Sequence, residues 1–172
     1  MDAHSARIES IVASFEEALG RFRARLVSAD PAAAERVPDA GGWAPAQVAA
    51  HVAMVNASFA SIVDGSRPVA QPAPEGFVER SFRDIAAGIP VKIEAPSRAH
   101  PPADVTRDAA VESLAASGSR LVAALRGLDP GRARLTIESP IVGGRISLYQ
   151  VGEWAVAHVI RHNQQIKRLL GA

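Results

Sequence analysis

His158 and His162 lie four residues apart in a segment whose apolar positions recur with a helical period, so both rings project from one helix face. Their Cβ atoms then stand about 5–6 Å apart, a workable bite for two nitrogens on one metal ion at about 2.0–2.1 Å. His51 occupies the inward stripe of another helical segment, between Val48 and Val52. Where the two helices face each other it supplies a third nitrogen. Three neutral imidazoles leave a coordination position for water or substrate, the arrangement of catalytic rather than structural zinc. Imidazole also suits nickel and iron, so the donors imply one divalent ion without naming it. Spacing alone leaves two other readings open: a hydrogen-bonded core pair, or a solvated pair on a helix of different phase.

The stripe of that segment is Val151, Trp154, Ala155, His158, His162, Gln165, Ile166 and Leu169. Three polar side chains sit where the period demands apolar ones, and a buried polar group without a partner costs about 1–3 kcal/mol. Gln165, one turn past His162, can orient a ligand histidine, bond a water or substrate, or simply satisfy a backbone carbonyl. Glu153 is beside the stripe and reads as a general base or, more simply, a solvated carboxylate. Asn56 and Asn163 are candidates for the same pocket. Trp43 and Trp154 are candidate pocket residues whose bulk fits core anchors better than cofactor stackers. His4, near the terminus, and His100, in a proline-rich loop, are expected in solvent. The chain has no cysteine, which removes disulfides, thiolate ligands and a cysteine nucleophile together.

Four amphipathic segments must position these groups. Ile8, Ile11, Phe15, Leu19, Phe22 and Leu26 form the first stripe, ending before Asp30-Pro31. The second opens at Pro45, suited to a first helical position, after Ala44, an N-cap without a capping oxygen. It runs through Val48, His51, Val52, Val55, Phe59 and Ile62 to Gly65. Val111, Leu114, Leu121, Val122, Leu125 and Leu128 make the third, with Gly118 as a close-approach point and a stop at Asp129-Pro130-Gly131. The fourth starts near Ser147 to Gln150 and ends at Gly171. Residues 66–104 hold seven of the twelve prolines and read as an ordered crossover or lid, with a short helix over Phe77 to Ala87 and an extended run at Val91 to Ile93. Arg134 to Glu138 and Arg145 to Leu148 read as a small hairpin or an extended loop. The expectation is an all-α chain: a four-helix bundle with a long crossover between its second and third helices, one domain over residues 1–172.

Basic and acidic residues number 19 and 18 and are interspersed, as with Arg21, Arg23 and Arg25 beside Glu16 and Glu17. No basic stripe offers a nucleic-acid footprint. No run reaches the roughly 18 uninterrupted apolar residues of a membrane span, and the first ten residues lack the apolar run of a signal peptide. A cytoplasmic protein is expected.

The segment Gly42 to His51, with Trp43, Gln47, Val48 and His51, resembles the W-[ST]-x-x-[EQ]-[VIL]-x-x-H opening of the second helix in the DinB-like superfamily (the DinB/YfiT-like metalloenzymes). Glu153 to Ile166 is similar to that family's last-helix pattern, H-x-x-x-H-x-x-Q-[IL]. Ala44 departs from the usual Ser or Thr, which weakens the helix cap and leaves the three histidines in place. The resemblance spans nearly the whole chain. It implies a four-helix bundle with a divalent metal on His51, His158 and His162, and in many members a homodimer. It also implies, from characterised relatives, a metal-dependent transferase acting with a low-molecular-weight thiol on a small electrophile. Two alternatives stand beside that: a hydrolase on the same ligands, and a stress or binding protein whose metal only staples the bundle.

Overall fold

The computed structural model describes residues 2–87, 95–139, 141 and 143–171. Among these residues, seven α-helices and a two-stranded ribbon follow in the order α1 (Ala3–Ser28), α2 (Pro31–Glu35), α3 (Pro45–Asp64), α4 (Phe82–Ala87), α5 (Arg107–Arg126), α6 (Pro130–Ala133), β1 (Thr136–Ser139), β2 (Gly144–Ser147) and α7 (Leu148–Leu169), with a single 3-10 turn at Ser97–Ala99 before α5. The chain is mostly helical, an all-α bundle of the long helices α1, α3, α5 and α7. The predicted second, third and fourth helices are α3, α5 and α7.

Each long helix forms where its apolar stripe and its start signal coincide. Asp2, Thr106 and Ser147 accept backbone N–H groups at the starts of α1, α5 and α7. α3 begins on Ala44, which has no side-chain acceptor. Gln47 compensates by accepting the Ala44 N–H at 2.9 Å, half of a capping box. At the far end Gly65 takes a left-handed conformation (φ 85°), and the Arg132 guanidinium lies against it. Arg132 donates to the carbonyls of Ile62 and Val63, satisfying the end of α3. The two Asp-Pro pairs, expected only as stops, also start one-turn helices: Asp30 caps α2 and Asp129 caps α6, each followed by proline.

Contacts along the helices give their directions. α1 packs on α5 and α7, and α3 packs on the same two. Arg7 meets Glu153 and Arg25 meets Asn163, so α1 and α7 run parallel. Gln47 reaches Pro102 and Ala103 just before α5, while Arg120 reaches Ser61 near the end of α3, so α3 and α5 also run parallel. Two parallel neighbours of about 30 Å require the chain to travel back a full helix length, which explains the long crossover. On the way Gln71 bridges Thr136, Glu79 pairs with Arg7, the Arg80 carbonyl accepts from Gln150, and α4 packs Ile85 into the core.

The predicted stripes of α1, α3 and α5 face the core: Ile8, Phe15, Phe22, Leu26, Val48, Val52, Phe59, Leu114, Leu121 and Leu125 are all buried, and Val55 and Val111 are half-buried against them. A Cβ at Gly118 would strike Leu19 Cδ2, so α1 and α5 approach closely there, as the spacing suggested. Of the two readings before α7, the hairpin is present, Thr136 pairing Ser147 and Ile137 pairing Ile146 in antiparallel register. The short crossover helix covers only Phe82–Ala87, because Ser81 takes the Asp84 N–H and starts it there. The extended run expected at Val91 to Ile93 lies outside the described residues. Leu169, the last residue of the predicted α7 stripe, is exposed beside Lys167 and Arg168 in the final turn. α3 is the one described helix long and apolar enough to cross a membrane, and 72% of that stretch is buried in the bundle.

Candidate metal centre

α3 and α7 run antiparallel, which brings the start of α3 beside the second half of α7. His158 Nε2 lies 3.3 Å from His51 Nε2 and 3.1 Å from His162 Nε2. Each ring offers a nitrogen, and the three nitrogens all lie within 4.8 Å of one another. Two nitrogens on a tetrahedral ion at about 2.0–2.1 Å stand about 3.3–3.4 Å apart, so the spacing suits one small cation. Among the described residues no carboxylate or further histidine joins this group.

The outer nitrogens decide where the lone pairs point. His51 Nδ1 is 2.7 Å from the Ala99 carbonyl oxygen, which can only accept, so Nδ1 carries the hydrogen and Nε2 is bare. His162 Nδ1 donates likewise to Gln165 Oε1 at 2.8 Å, which bares its Nε2. His158 Nδ1 is buried with no partner. If His158 carries its one hydrogen on Nε2, it can satisfy only one of the two lone pairs facing it. A divalent cation satisfies all three. Ring N–H groups held by a carbonyl and an amide oxygen are the supports that metal-bound histidines ordinarily have. The donor set fits the ion.

Burial keeps the cluster neutral. It lowers the His162 imidazole to about 4, aided by His51 and Arg161 and opposed by the bond to Gln165. It drives His158 well below the usual histidine range, with His162, His51 and Arg161 adding to the effect. His51 is lowered by burial and by His100, against the pull of the Ala99 carbonyl. Neutral imidazoles at pH 7 are what a metal requires.

The remaining candidates divide. Trp43 sits with its ring centroid 5.0 Å from that of His51, and Gln165 supports His162. Trp154 packs on Phe59 at 5.2 Å, one turn before His158 on the same face. Glu153 faces α1 instead: Arg7 donates to its Oε1 at 2.9 Å, and burial raises its carboxyl pKa despite that partner. Asn163 is engaged by Arg25 on the α1 side. Asn56 is wholly buried with both carboxamide atoms unpartnered, and five residues past His51 it leaves α3 about 140° around from it. His4 is half-buried against Tyr149, its Nδ1 2.7 Å from the phenol oxygen, rather than in solvent. His100 is exposed as expected, yet its ring stands edge-on to Trp43 at 5.7 Å.

Two participants had no assigned role in the sequence: the carbonyl of Ala99, which no pattern can reveal, and Gln47. Gln47 did carry a signal, since it lies four residues before His51 on the same face. No curated protein and no solved structure matches the chain. The family model of the DinB superfamily matches residues 14–166, with the three histidines inside the matched span, and the chain belongs to that superfamily.

Proposed function

We propose that this chain is a divalent-metal enzyme that joins a low-molecular-weight thiol to a small electrophile. The observation that supports it is an open set of three imidazoles. The two candidates for a fourth ligand are committed elsewhere, Gln165 to His162 and Glu153 to Arg7. An open position favours turnover over a purely structural ion. A divalent ion held there supplies Lewis acidity, which lowers the pKa of a thiol or water beside it. With no cysteine in the chain, a reacting sulfur comes from a cosubstrate. The protein's part is positioning and shelter: His51 and His162 are fixed by their outer nitrogens, and the crossover residues Ala99 and His100 stand with Trp43 over one side of the cluster. Hydrolysis on the same ligands is the near variant, with water as nucleophile. Homodimerisation and a cytoplasmic location belong to the same reading.

Metal content decides first. Untagged protein purified without chelators, measured by elemental mass spectrometry beside His51→Ala, should hold about one zinc, nickel or iron ion per chain, lost in the variant. Loaded protein is then screened with thiols and electrophiles for disappearance of free thiol. A parent that takes up none of the three metals ends the reading.

A further inference from the structure

Gln47 uses its whole side chain. Its Oε1 accepts the Ala44 N–H, and its Nε2 donates to the carbonyls of Pro102 and Ala103, each at 3.1 Å. It is only 8% exposed, so these bonds form away from competing water. The residues it holds are the last stretch of the crossover, three and four positions beyond Ala99, whose carbonyl receives the Nδ1–H of His51. The same stretch carries His100 against Trp43.

From this we infer that Gln47 is a positioning residue for the metal centre. It clamps the end of the crossover to the first turn of α3, which seats the Ala99 carbonyl on His51 and keeps the His51 Nε2 lone pair turned to the cluster. The inference deepens the metal-centre reading and rests on it. The chain of contacts is short: Gln47 to Pro102 and Ala103, three residues back to Ala99, then His51. Without the clamp the crossover loses its only side-chain bonds to α3 between residues 100 and 106 among the described residues. His51 is then free to exchange tautomers and to rotate, and a ligand that must be ordered on binding binds more weakly.

The test compares Gln47→Leu with Ser147→Ala. Both remove a capping interaction at the start of a ligand-bearing helix; Ser147→Ala should lower the melting temperature of metal-free protein by about 2–4 °C, and Gln47→Leu, which also strands the Pro102 and Ala103 carbonyls, by more. Only Gln47→Leu touches the last stretch of the crossover, at Pro102 and Ala103. Chelator-competition titration with zinc should show about a tenfold or greater loss of affinity in Gln47→Leu and none in Ser147→Ala. A metal-independent readout runs alongside: long-range proton–nitrogen NMR of the imidazoles in metal-free protein. The parent should show His51 as a single Nδ1–H tautomer and Gln47→Leu a mixture. If zinc affinity and tautomer are unchanged in Gln47→Leu, the inference is overturned. Equal loss of affinity in both variants overturns it as well, because the effect would then be general stability. A parent that binds no metal defeats the proposed function, while the tautomer comparison still decides the role of Gln47.

Discussion

Gln165 Oε1 receives the Nδ1–H of His162 at 2.8 Å, one helical turn further along α7. The bond is local, needing only the helix, and it turns the Nε2 lone pair of His162 toward His158. An acceptor on the outer nitrogen also raises the basicity of the inner one. Gln165→Leu should therefore lower zinc affinity about tenfold with the bundle intact, while Gln165→Glu, which keeps an acceptor, should retain it. Competition titration of both variants checks this, and unchanged affinity in Gln165→Leu would show that the bond does not matter to the ion.

His158 is the middle of the three nitrogens, within 3.3 Å of both others. His158→Ala should abolish most metal binding and leave the helical circular dichroism unchanged, since the apolar stripes of α1, α3 and α5 still bury the core. Full metal occupancy in this variant would mean the ion sits elsewhere.

Acid should destabilise the metal-free protein over a definite window. An unfolded histidine titrates near 6.5, whereas His162 in the fold titrates at about 4 and His158 well below its usual range. Between those values the unfolded chain binds more protons than the folded one, so stability rises with pH there. It should be flat above about pH 7.5 and fall as pH drops from about 6.5 toward 4. Urea denaturation in chelator at steps across that range measures the slope. His158→Ala should make it shallower, leaving the part due to His162, and a stability that climbs on acidification would contradict the buried, neutral cluster.

The α1–α5 contact is tight at Gly118, where an added Cβ would meet Leu19 Cδ2, the far end of a side chain with some freedom to turn. Gly118→Ala should be near neutral, the displacement offset by about 1 kcal/mol of helix propensity. Gly118→Val adds branched bulk in the same gap and should cost about 1–3 kcal/mol by chemical denaturation. A neutral valine would mean the two helices separate more readily than the packing implies.

Glu153→Gln is expected to leave zinc affinity within about twofold. Its carboxylate is held by Arg7 on the α1 side, in a cluster with Glu79 and Tyr149. Competition titration checks it, and a tenfold loss would return Glu153 to the metal centre.

The sequence by itself determined the helical class, the four stripes, the hairpin as one of two options, and the trio of His51, His158 and His162. These are legible because helical period, start residues and i,i+4 spacing act locally: Pro45, Ser147 and the His158–His162 pair each say where they point without reference to the rest. Asp30-Pro31 and Asp129-Pro130 were legible in part, since a pair that stops one helix can also cap the next.

What only the tertiary structure decided is which partners those faces meet. Glu153 and His158 are five residues apart on one helix, yet one turns to Arg7 on α1 and the other to His51 on α3. The parallel pairing of α3 with α5 turns a proline-rich stretch into a return path and lays Ala99, His100 and the bonds of Gln47 beside the histidines. A backbone carbonyl has no sequence signature, and a contact between residues 51 and 99 depends on how helices are paired in space. Local periodicity fixes the face of each helix; burial of all four faces together fixes their arrangement.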